Sequence, residues 1–469
     1  MNFLDLFDKV IEKVSFYIDK NDKSRIYAQY PGPNEETCFS PIHSMKFKGF
    51  LHCESLKFND EGIDINNALK HIELSIAYYG DAIKTYVHIR VAGDLEDGLE
   101  YDLQNCDQTS VKVNAKGWKI SERKRKFLVP KESLEQAKPI QTNKSPLELL
   151  KKYFNLSGDN FKLFVVWLIH CFCYSTHIGL VLMAAPGSGK TTISKMAQAI
   201  IDPSDIGVMR FPDKKEDLCL ILGQSYFDCF DNAVTLSKEE SDILCGAITG
   251  TASVKRALYT DSGLCVVRLH NTIMMNGIDV IPEESDLADR LLVLKAERIS
   301  SKSRLTDKEL KKSFDKELPE ILGSIFNTLS AAMSFIDDVD KSDLPRMAEA
   351  YVNMVSIARA LGIEESEFRR IFYDNKLAID KARSVKPIVE AVVEYMNRCD
   401  VGRKVEGFVE EIFKKVKSNY SGSGTAVAGS ASAFSKKLKG ESAALEAAGI
   451  TVSFDDTGAR GTKIKIIKN

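Results

Sequence analysis

The chain has 469 residues, with 64 Lys and Arg against 66 Asp and Glu. This length exceeds what one hydrophobic core serves and predicts about three domains, while the balanced charge gives no global preference for polyanions. The 10 cysteines form no C-x-x-C pair and no cluster with histidine, which argues against a zinc site or a disulfide framework. We therefore expect a reduced, cytoplasmic protein.

Residues 1–143 are expected to form an accessory domain that is mixed α/β or mostly β. The segments 84–93 and 110–120 alternate in polarity, as strands do. The basic run at 122–127 has two interpretations: a nucleic-acid contact, or the solvated face of a strand, which is the usual state of a charge run.

A helical region is expected after this domain. Ser145 suits an N-cap and Pro146 the first helical position. The apolar run at 161–176 contains Lys162 and His170 and is too short to cross a bilayer, so it predicts a buried helix and no membrane partner.

A strand, a glycine-containing turn and a helix are predicted over Ile178 to Thr192. The turn contains PGSGKTT, which matches a phosphate-binding P-loop except that Ala184 replaces the opening glycine. Small residues allow backbone N–H groups to close around phosphate oxygens, and the helix dipole adds positive potential. In such a loop Lys190 reaches the β- and γ-phosphates and the Thr191 hydroxyl binds Mg²⁺. The predicted ATP-binding residues are Ala185, Pro186, Gly187, Ser188, Gly189, Lys190, Thr191 and Thr192.

The segment SYFDCFDNA at 225–233 predicts an apolar strand that ends in acid. Asp231 is placed to hold the hydration shell of Mg²⁺, and Asn232 follows where many ATPases carry a glutamate. Because an amide orients water without accepting its proton, the general base stays open between Asp228 and Glu239. An edge strand with an Asp-Asn turn is the alternative.

A hairpin is predicted next, with strands at 253–260 and 264–269 joined by the turn Asp-Ser-Gly. Its Lys255, Arg256 and Tyr259 combine cations with an aromatic ring, a mixture that follows a nucleic-acid backbone. The strand TIMMN then ends in Asn276, which can sense a γ-phosphate. Arg290 begins a further strand, where an arginine can supply transition-state charge to a neighbouring subunit. A structural hairpin, a turn asparagine and an ion pair of Arg290 with Asp286 or Asp289 are the alternatives.

From about residue 144 to 362 the chain resembles AAA+ replicative helicases of mobile genetic elements. These are the superfamily 3-like and MCM-like helicases of phages, satellites, pathogenicity islands and cassette chromosomes. The resemblance is carried by PGSGKTT, FDCFDN, LCGAITG with RALYTD, MMNGI, SDLADRLL and DLPRMAEA.

The resemblance implies a hexameric ring that hydrolyses ATP with Mg²⁺ and holds single-stranded DNA in its channel. Asn276 resembles sensor 1, Arg290 an arginine finger acting in trans, and Arg346 a sensor 2 arginine. The hairpin from Lys255 to Asp261 resembles the pre-sensor hairpin that grips DNA. Travel from 3′ to 5′ is implied by the resemblance alone.

The carboxyl-terminal residues 386–469 predict three helices followed by two strands, the pattern of a winged helix. The helices are expected at IVEAVVEYM, EGFVEEIFKKV and ASAFSKKLKGESAALEAAG. Lys436, Lys437 and Lys439 on the third helix, and Arg460 in the wing turn, are expected to contact duplex DNA. A protein-binding winged helix with ordinary surface lysines is the alternative.

The fold class expected is α/β: an AAA+ core at 144–340, a helical lid or connection at 341–385, and the flanking domains at 1–143 and 386–469. The expected function is a DNA helicase and replication initiator that binds duplex origin DNA through the winged helix. The amino-terminal domain could meet host replication proteins or a regulator. An ATP-switched initiator or loader without unwinding activity, and a P-loop kinase of a small molecule, are the other hypotheses.

Overall fold

The structure is a computed structural model that describes residues 3–34, 36–184, 187–233, 236–256, 264–277, 284–298, 306–384, 387–398, 404–421, 427–456 and 462–468. Contacts divide the chain into two compact units, Met1–Lys376 and Leu377–Asn469. None of the helices in these ranges is long and apolar enough to cross a membrane.

The first layer of unit one is a four-stranded sheet with three helices. Its elements are α1 (Phe3–Ile11), β1 (Ser15–Asp19), β2 (Ile26–Pro31), β3 (Thr37–Pro41), α2 (Met45–Ser55), α3 (Ile65–Tyr79) and β4 (Ile83–Thr85). The strand order is β3-β2-β1-β4, with β4 parallel to β1. Helix α3 begins at the Asp64 cap, which accepts from Asn67 N at 3.1 Å, and ends at Gly80 with φ 73°. This layer has its own apolar core around Phe7, Phe47 and Ile72.

A second layer consists of a four-stranded meander and a separate parallel pair formed by its first and last strands. Its elements are β5 (Val87–His88), β6 (Val91–Ala92), β7 (Leu99–Asp102), β8 (Thr109–Asn114), β9 (Gly117–Glu122) and β10 (Lys126–Phe127). Strands β6 to β9 pair antiparallel in chain order. Their apolar side chains, such as Val91 and Tyr101, belong to the same core as the central sheet. Residues 1–143 therefore contribute one layer with its own core and one that is part of the central body.

The basic run at 122–127 is held within the protein. Arg123 Nε donates to Asp102 Oδ1 at 2.7 Å, and the Lys124 backbone N–H donates to Glu100 Oε1 at 2.7 Å. Lys126 Nζ lies 4.6 Å from the Tyr17 ring centre. These contacts favour the structural interpretation of the run over a nucleic-acid contact.

The central body is a five-stranded, wholly parallel sheet with order β12-β13-β16-β11-β17. Its elements are α4 (Pro146–Leu150), α5 (Gly158–His170), β11 (Gly179–Ala184), α6 (Lys190–Ile201), β12 (Met209–Arg210), α7 (Lys215–Leu222), β13 (Phe227–Asp231), α8 (Lys238–Thr249), β14 (Thr251–Arg256), β15 (Leu264–Leu269), β16 (Thr272–Gly277), α9 (Ser285–Ala288) and β17 (Leu291–Ala296). The predicted start of α4 is confirmed, because the Ser145 hydroxyl accepts from Leu147 N at 3.2 Å and Pro146 opens the helix. Strand β11 is almost entirely buried, as expected for a parallel sheet covered on both faces.

The predicted hairpin is present as the antiparallel pair β14 and β15, from Thr251 opposite Leu269 to Arg256 opposite Leu264. Only its backbone is described over 252–256 and 264–267, and its turn lies outside the described residues.

Helices complete unit one: α10 (Asp307–Ala332), a 3-10 turn at Ile336–Asp338, α11 (Ala348–Ala360) and α12 (Glu365–Ser384), whose last residues belong to unit two. Gly323 lets the segment before α4 lie directly on α10, since a Cβ there would stand 1.8 Å from the Ile140 carbonyl oxygen.

Unit two consists of α13 (Pro387–Arg398), β18 (Lys404–Phe408), α14 (Val409–Asn419), α15 (Ala431–Gly440), α16 (Ser442–Ala447), β19 (Ile450–Asp456) and β20 (Thr462–Lys468). Two details differ from the sequence prediction. The first residues of EGFVEEIFKKV form strand β18, which pairs with β20 and completes a sheet of order β18-β20-β19. The predicted third helix breaks at Glu441 into α15 and α16.

Candidate nucleotide-binding site

The predicted phosphate-binding turn joins the end of β11 to the start of α6. Gly187 and Gly189 have φ of 81° and 79°, a left-handed conformation that glycine adopts without steric cost. Lys190 is the first residue of α6, followed in the same turn by Thr191 and Thr192. The N-cap Gly189 offers no side chain to the first amides of the helix, so those amides can bind an anion. Ala185 and Pro186 lie outside the described residues.

Thr191 and Asp231 meet although they are distant in sequence. The Thr191 hydroxyl donates to Asp231 Oδ2 at 3.1 Å. Asp231 Oδ1 is buried and has no hydrogen-bond partner among the described residues. A buried carboxylate oxygen without a donor is costly, and a hydrated hard cation would satisfy it. The pair therefore fits Mg²⁺, which prefers oxygen ligands and keeps several waters.

Asn276 joins strand β16 to helix α6 and to the turn that follows β13. It lies at the end of β16, next to β11, and is fully buried. Its Nδ2 donates to Ser194 Oγ of α6 at 2.9 Å, and its Oδ1 accepts from Asn232 N at 3.3 Å. Asn276 thus fixes the phosphate helix against the turn that follows Asp231.

Asn232 occupies a backbone position that restricts its residue type. Its φ is 56°, in the left-handed region where asparagine is enriched among residues other than glycine. Its side chain is exposed beside Asp231. The backbone thus gives a physical reason for an amide where many ATPases have a longer carboxylate.

The two candidate bases are engaged elsewhere. Asp228 is fully buried on the opposite face of β13 from Asp231, where its carboxylate accepts from Ser225 Oγ at 2.7 Å and Asn271 Nδ2 at 3.0 Å. Burial raises its pKa to about 7. Glu239 is paired with Lys215 at 2.8 Å. Asp228 is therefore no candidate for activating water at Asp231, which corrects one of the alternatives that the sequence left open.

Arg290 and Arg346 lie together at the other end of the sheet. The Gly179 N–H at the start of β11 donates to the Arg290 carbonyl at 2.9 Å, so Arg290 lies at the amino end of β11. The carboxyl end of the same strand leads into the turn before Lys190. Arg290 pairs with Asp286 at 2.6 Å, the predicted alternative, and Arg346 pairs with Asp286 and with Asp289, the latter at 3.3 Å. Six residues of strand separate the two ends by about 17 Å.

Three further contacts were not predicted from the sequence. Ser194 holds Asn276, as described above. Asn155 Nδ2 donates to the carbonyls of Ser188, at 3.3 Å, and of Glu297. Asp286, already an alternative partner of Arg290 in the sequence analysis, also contacts Arg346. Ser194 could have been found from its position three residues after Thr191 on one helical face, whereas the sequence around Asn155 carries no such pattern.

The predicted DNA-binding residues are only partly described. Lys255 and Arg256 lie in β14, with backbone alone described, and Tyr259 and Arg460 are outside the described residues. Lys436, Lys437 and Lys439 are exposed on α15, whose Phe434 and Leu438 are buried. Lys439 Nζ lies 4.8 Å from the Phe454 ring centre.

Residues 147–375 match the family model described as "Actinomycete integrative conjugative element replication protein". This part of the chain is similar to a replication protein of mobile genetic elements. The match spans a little under half of the chain and contains every motif on which the sequence resemblance rests, and it confirms the resemblance to replication proteins of such elements. No curated protein matches the chain.

Two solved structures are also similar over most of the chain. One is the apo C-terminal region of NrS-1, with 10% identity, 98% of each chain covered and a TM-score of 0.42. The other is the active helicase Cch of SCCmec type IV, with 11% identity, 90% of this chain and 88% of that chain covered, and a TM-score of 0.43.

Proposed function

We propose that the chain is an ATP-dependent DNA helicase and replication initiator of a mobile genetic element, built on an AAA+ P-loop core. The observation that carries the proposal is the Thr191–Asp231 contact at the carboxyl ends of parallel strands, where Asp231 Oδ1 has no donor within the described part of the chain. In open α/β sheets ligands bind beyond the carboxyl ends of the strands. The family match at 147–375 supports a role in replication.

Each residue at this end has a chemical task. The amides of the loop and Lys190 would bind the phosphates of ATP. The Thr191 hydroxyl would bind Mg²⁺ directly, and Asp231 would bind the water molecules around the ion. When bound, Mg²⁺ neutralises charge on the phosphate oxygens. Asn276 fixes the Asn232 backbone, and the exposed Asn232 side-chain amide would orient a water molecule.

The two arginines support a shared site in a ring. Since Arg290 and Arg346 lie about 17 Å along the sheet from the phosphate turn of their own chain, they would act on the nucleotide of a neighbouring subunit. A closed ring, proposed here as a hexamer, gives every nucleotide such a neighbour.

The DNA contacts are assigned to two places. The β14–β15 hairpin would track a single strand in the channel. Unit two, with helices α13 to α16 and a three-stranded antiparallel sheet, has the element order of a winged helix, and its α15 lysines would approach duplex DNA.

Strand displacement tests the helicase proposal. Forked DNA with a 3′ tail is incubated with ATP and either the wild-type chain or Lys190→Ala. We expect unwinding by the wild type alone. Hydrolysis and ring formation without unwinding would contradict helicase activity.

Mixed subunits test the shared site. Arg290→Ala and Asp231→Ala should each abolish hydrolysis, and Arg290→Ala should retain ATP binding. An equal mixture should recover part of the activity, because some interfaces combine an intact Asp231 with an intact Arg290. No recovery would contradict action in trans.

The salt dependence of duplex binding tests unit two. The double variant Lys436→Ala/Lys437→Ala should lower the slope of log affinity against log salt by about 2, without changing hydrolysis. Lys414→Ala is the control, because this lysine is paired with Glu410 at 2.9 Å on α14. Equal slopes for all three proteins would remove α15 from the DNA contact.

An ATP-switched initiator or loader without unwinding is the second candidate. It is favoured by Asn232, which places no carboxylate beside Asp231. It predicts tight ATP-dependent assembly with little DNA-stimulated turnover. In that case Asn232→Asp, which tolerates the same φ, should raise the rate of hydrolysis.

A further inference from the structure

Asp286 is the carboxylate around which both arginines are arranged. Its Oδ2 accepts from Arg290 NH1 at 2.6 Å, its Oδ1 contacts Arg346 NH2, and its backbone carbonyl accepts from Arg290 NH1 at 2.7 Å. The hydrogen bond from Arg290 holds the pKa of Asp286 below its usual range. Among the described residues, the Asp289 carboxylate contacts Arg346, at 3.3 Å, and not Arg290.

The backbone around Arg290 is already fixed on both sides. Arg290 N donates to the Leu287 carbonyl at 3.0 Å. Lys376 Nζ donates to the carbonyls of Asp289 at 2.8 Å and Leu291 at 2.7 Å. The freedom that remains is in the long side chain of Arg290, whose many rotamers must be restricted before it can act.

Asp286 removes that freedom while leaving donors available. It grips NH1 alone, so the fork of the guanidinium is oriented but not saturated. Within the described part of the chain, NH2 of Arg290 makes no hydrogen bond, and its Nε is buried without a partner. A guanidinium held in this way keeps NH2 available for a phosphate oxygen.

We infer that Asp286 is a positioning residue that orients Arg290, and with it Arg346, towards the γ-phosphate held by a neighbouring subunit. The inference rests on the proposed function, because it requires the arginines to act across an interface. Orientation fixed before the reaction lowers the entropic part of the barrier, and a displacement of about 1 Å can cost about 100-fold in rate.

The test compares Asp286→Asn with Asp289→Asn in hydrolysis assays on assembled protein. Asp286→Asn keeps the shape but loses the charge, and we expect kcat to fall about 10- to 100-fold with little change in KM for ATP. Asp289→Asn should change kcat by less than about threefold. Asp286→Glu, which keeps the charge on a longer stem, should give an intermediate kcat. A kcat at or above the wild-type value in both Asp286 variants would overturn the inference.

Subunit mixing separates positioning from a general structural defect. Asp286→Asn mixed with Lys190→Ala should recover activity, because an intact arginine end then meets an intact Lys190. Asp286→Asn mixed with Arg290→Ala should recover none, since both carry the defect at the same end; recovery there would overturn the inference. If Arg290→Ala alone retains full hydrolysis, the shared-site proposal itself fails. If Arg290→Ala is inactive and Asp286→Asn is not impaired, only the role of Asp286 fails.

Discussion

The two ends of the central sheet are built from the same strands but treat polar groups in opposite ways. At the carboxyl end, Asp231 keeps a buried oxygen for which the residues described in the structure supply no donor, and Asn232 faces solvent in a left-handed conformation. At the amino end, Asp228 of the same strand is enclosed and bonded to Ser225 and Asn271. Among the described residues, both carboxylate oxygens of Asp228 thus have protein donors, whereas one oxygen of Asp231 has none.

The amino end also contains a stack of buried histidines. His88, His170, His177 and His270 pack with Tyr174 and Tyr226, with His177 and His270 ring centres 4.9 Å apart. No group of His, Cys, Asp or Glu that could hold a metal ion occurs in the described ranges. Within the described ranges, the stack is therefore a packing feature of neutral rings.

The largest expected effect on hydrolysis comes from comparing two Asp→Asn variants, one at each end of β13. Asp231→Asn should lower kcat for ATP about 1000-fold, because it removes the charge opposite Thr191. Asp228→Asn should leave kcat within about threefold and cost about 1–3 kcal/mol of unfolding free energy, since the new amide faces the Asn271 donor. Steady-state hydrolysis and chemical denaturation measure both. Equal losses of kcat would abolish the distinction between the ends.

The second effect concerns the end of α6 remote from the glycine-containing turn. Arg90 is fully buried and its Nε donates to Asp202 at 2.7 Å, just beyond the last turn of α6. Arg90→Ala should cost about 3–5 kcal/mol of unfolding free energy, because it leaves a buried charge without its partner. Lys311→Ala breaks an exposed pair with Asp315 and should cost at most about 0.5 kcal/mol. Similar losses of unfolding free energy for the two variants in urea denaturation would contradict the expectation that the buried pair contributes more.

The third effect is on the pH dependence of stability. Burial lowers the pKa of His88 to about 4 and of His170 to about 4, and it lowers those of His177 and His270 as well. Because the folded pKa values lie below the unfolded value of about 6.5, the folded chain binds fewer protons. Stability is thus complete above pH 6.5 and is lost as the pH falls towards 4. Asp228 has the opposite effect, because its raised pKa of about 7 means that the folded chain binds one proton there before the unfolded chain does.

Thermal melts between pH 7.5 and 4.5 measure this dependence. His177→Leu should reduce the slope of stability against pH, whereas His43→Gln should not, since His43 is exposed and pairs with Glu73 at 2.8 Å. A slope unchanged by His177→Leu would show that the stack does not govern acid sensitivity.

The smallest effect compares two buried tyrosines. The Tyr226 hydroxyl donates to the Cys171 carbonyl at 2.6 Å, whereas the Tyr351 hydroxyl has no partner among the described residues. Tyr226→Phe should cost about 1 kcal/mol, and Tyr351→Phe should be neutral or stabilising. Denaturation midpoints measure the difference. A larger loss of stability in Tyr351→Phe than in Tyr226→Phe would contradict the expectation that only the Tyr226 hydroxyl stabilises the fold.

Local patterns predicted several elements. The Ser145–Pro146 start of α4, the hairpin strands and the strands that end at Asp231 and Asn276 were found from residues close together in sequence. Strand β18 was missed because Lys404–Phe408 runs directly into α14 and has little apolar alternation; it becomes a strand by pairing with β20.

The sequence by itself determined the glycine-containing turn between a strand and a helix, the acid-terminated strand and the start of α4, because these depend on neighbours within a few residues. The tertiary structure decided which ends meet. Thr191 and Asp231 are 40 positions apart, and Arg346 and Asp289 are 57 apart. Their contacts follow from the strand order of the buried sheet, which is selected by the packing of the whole core. Only that order shows that the arginines lie opposite their own phosphate turn, and that Asp286 holds them there.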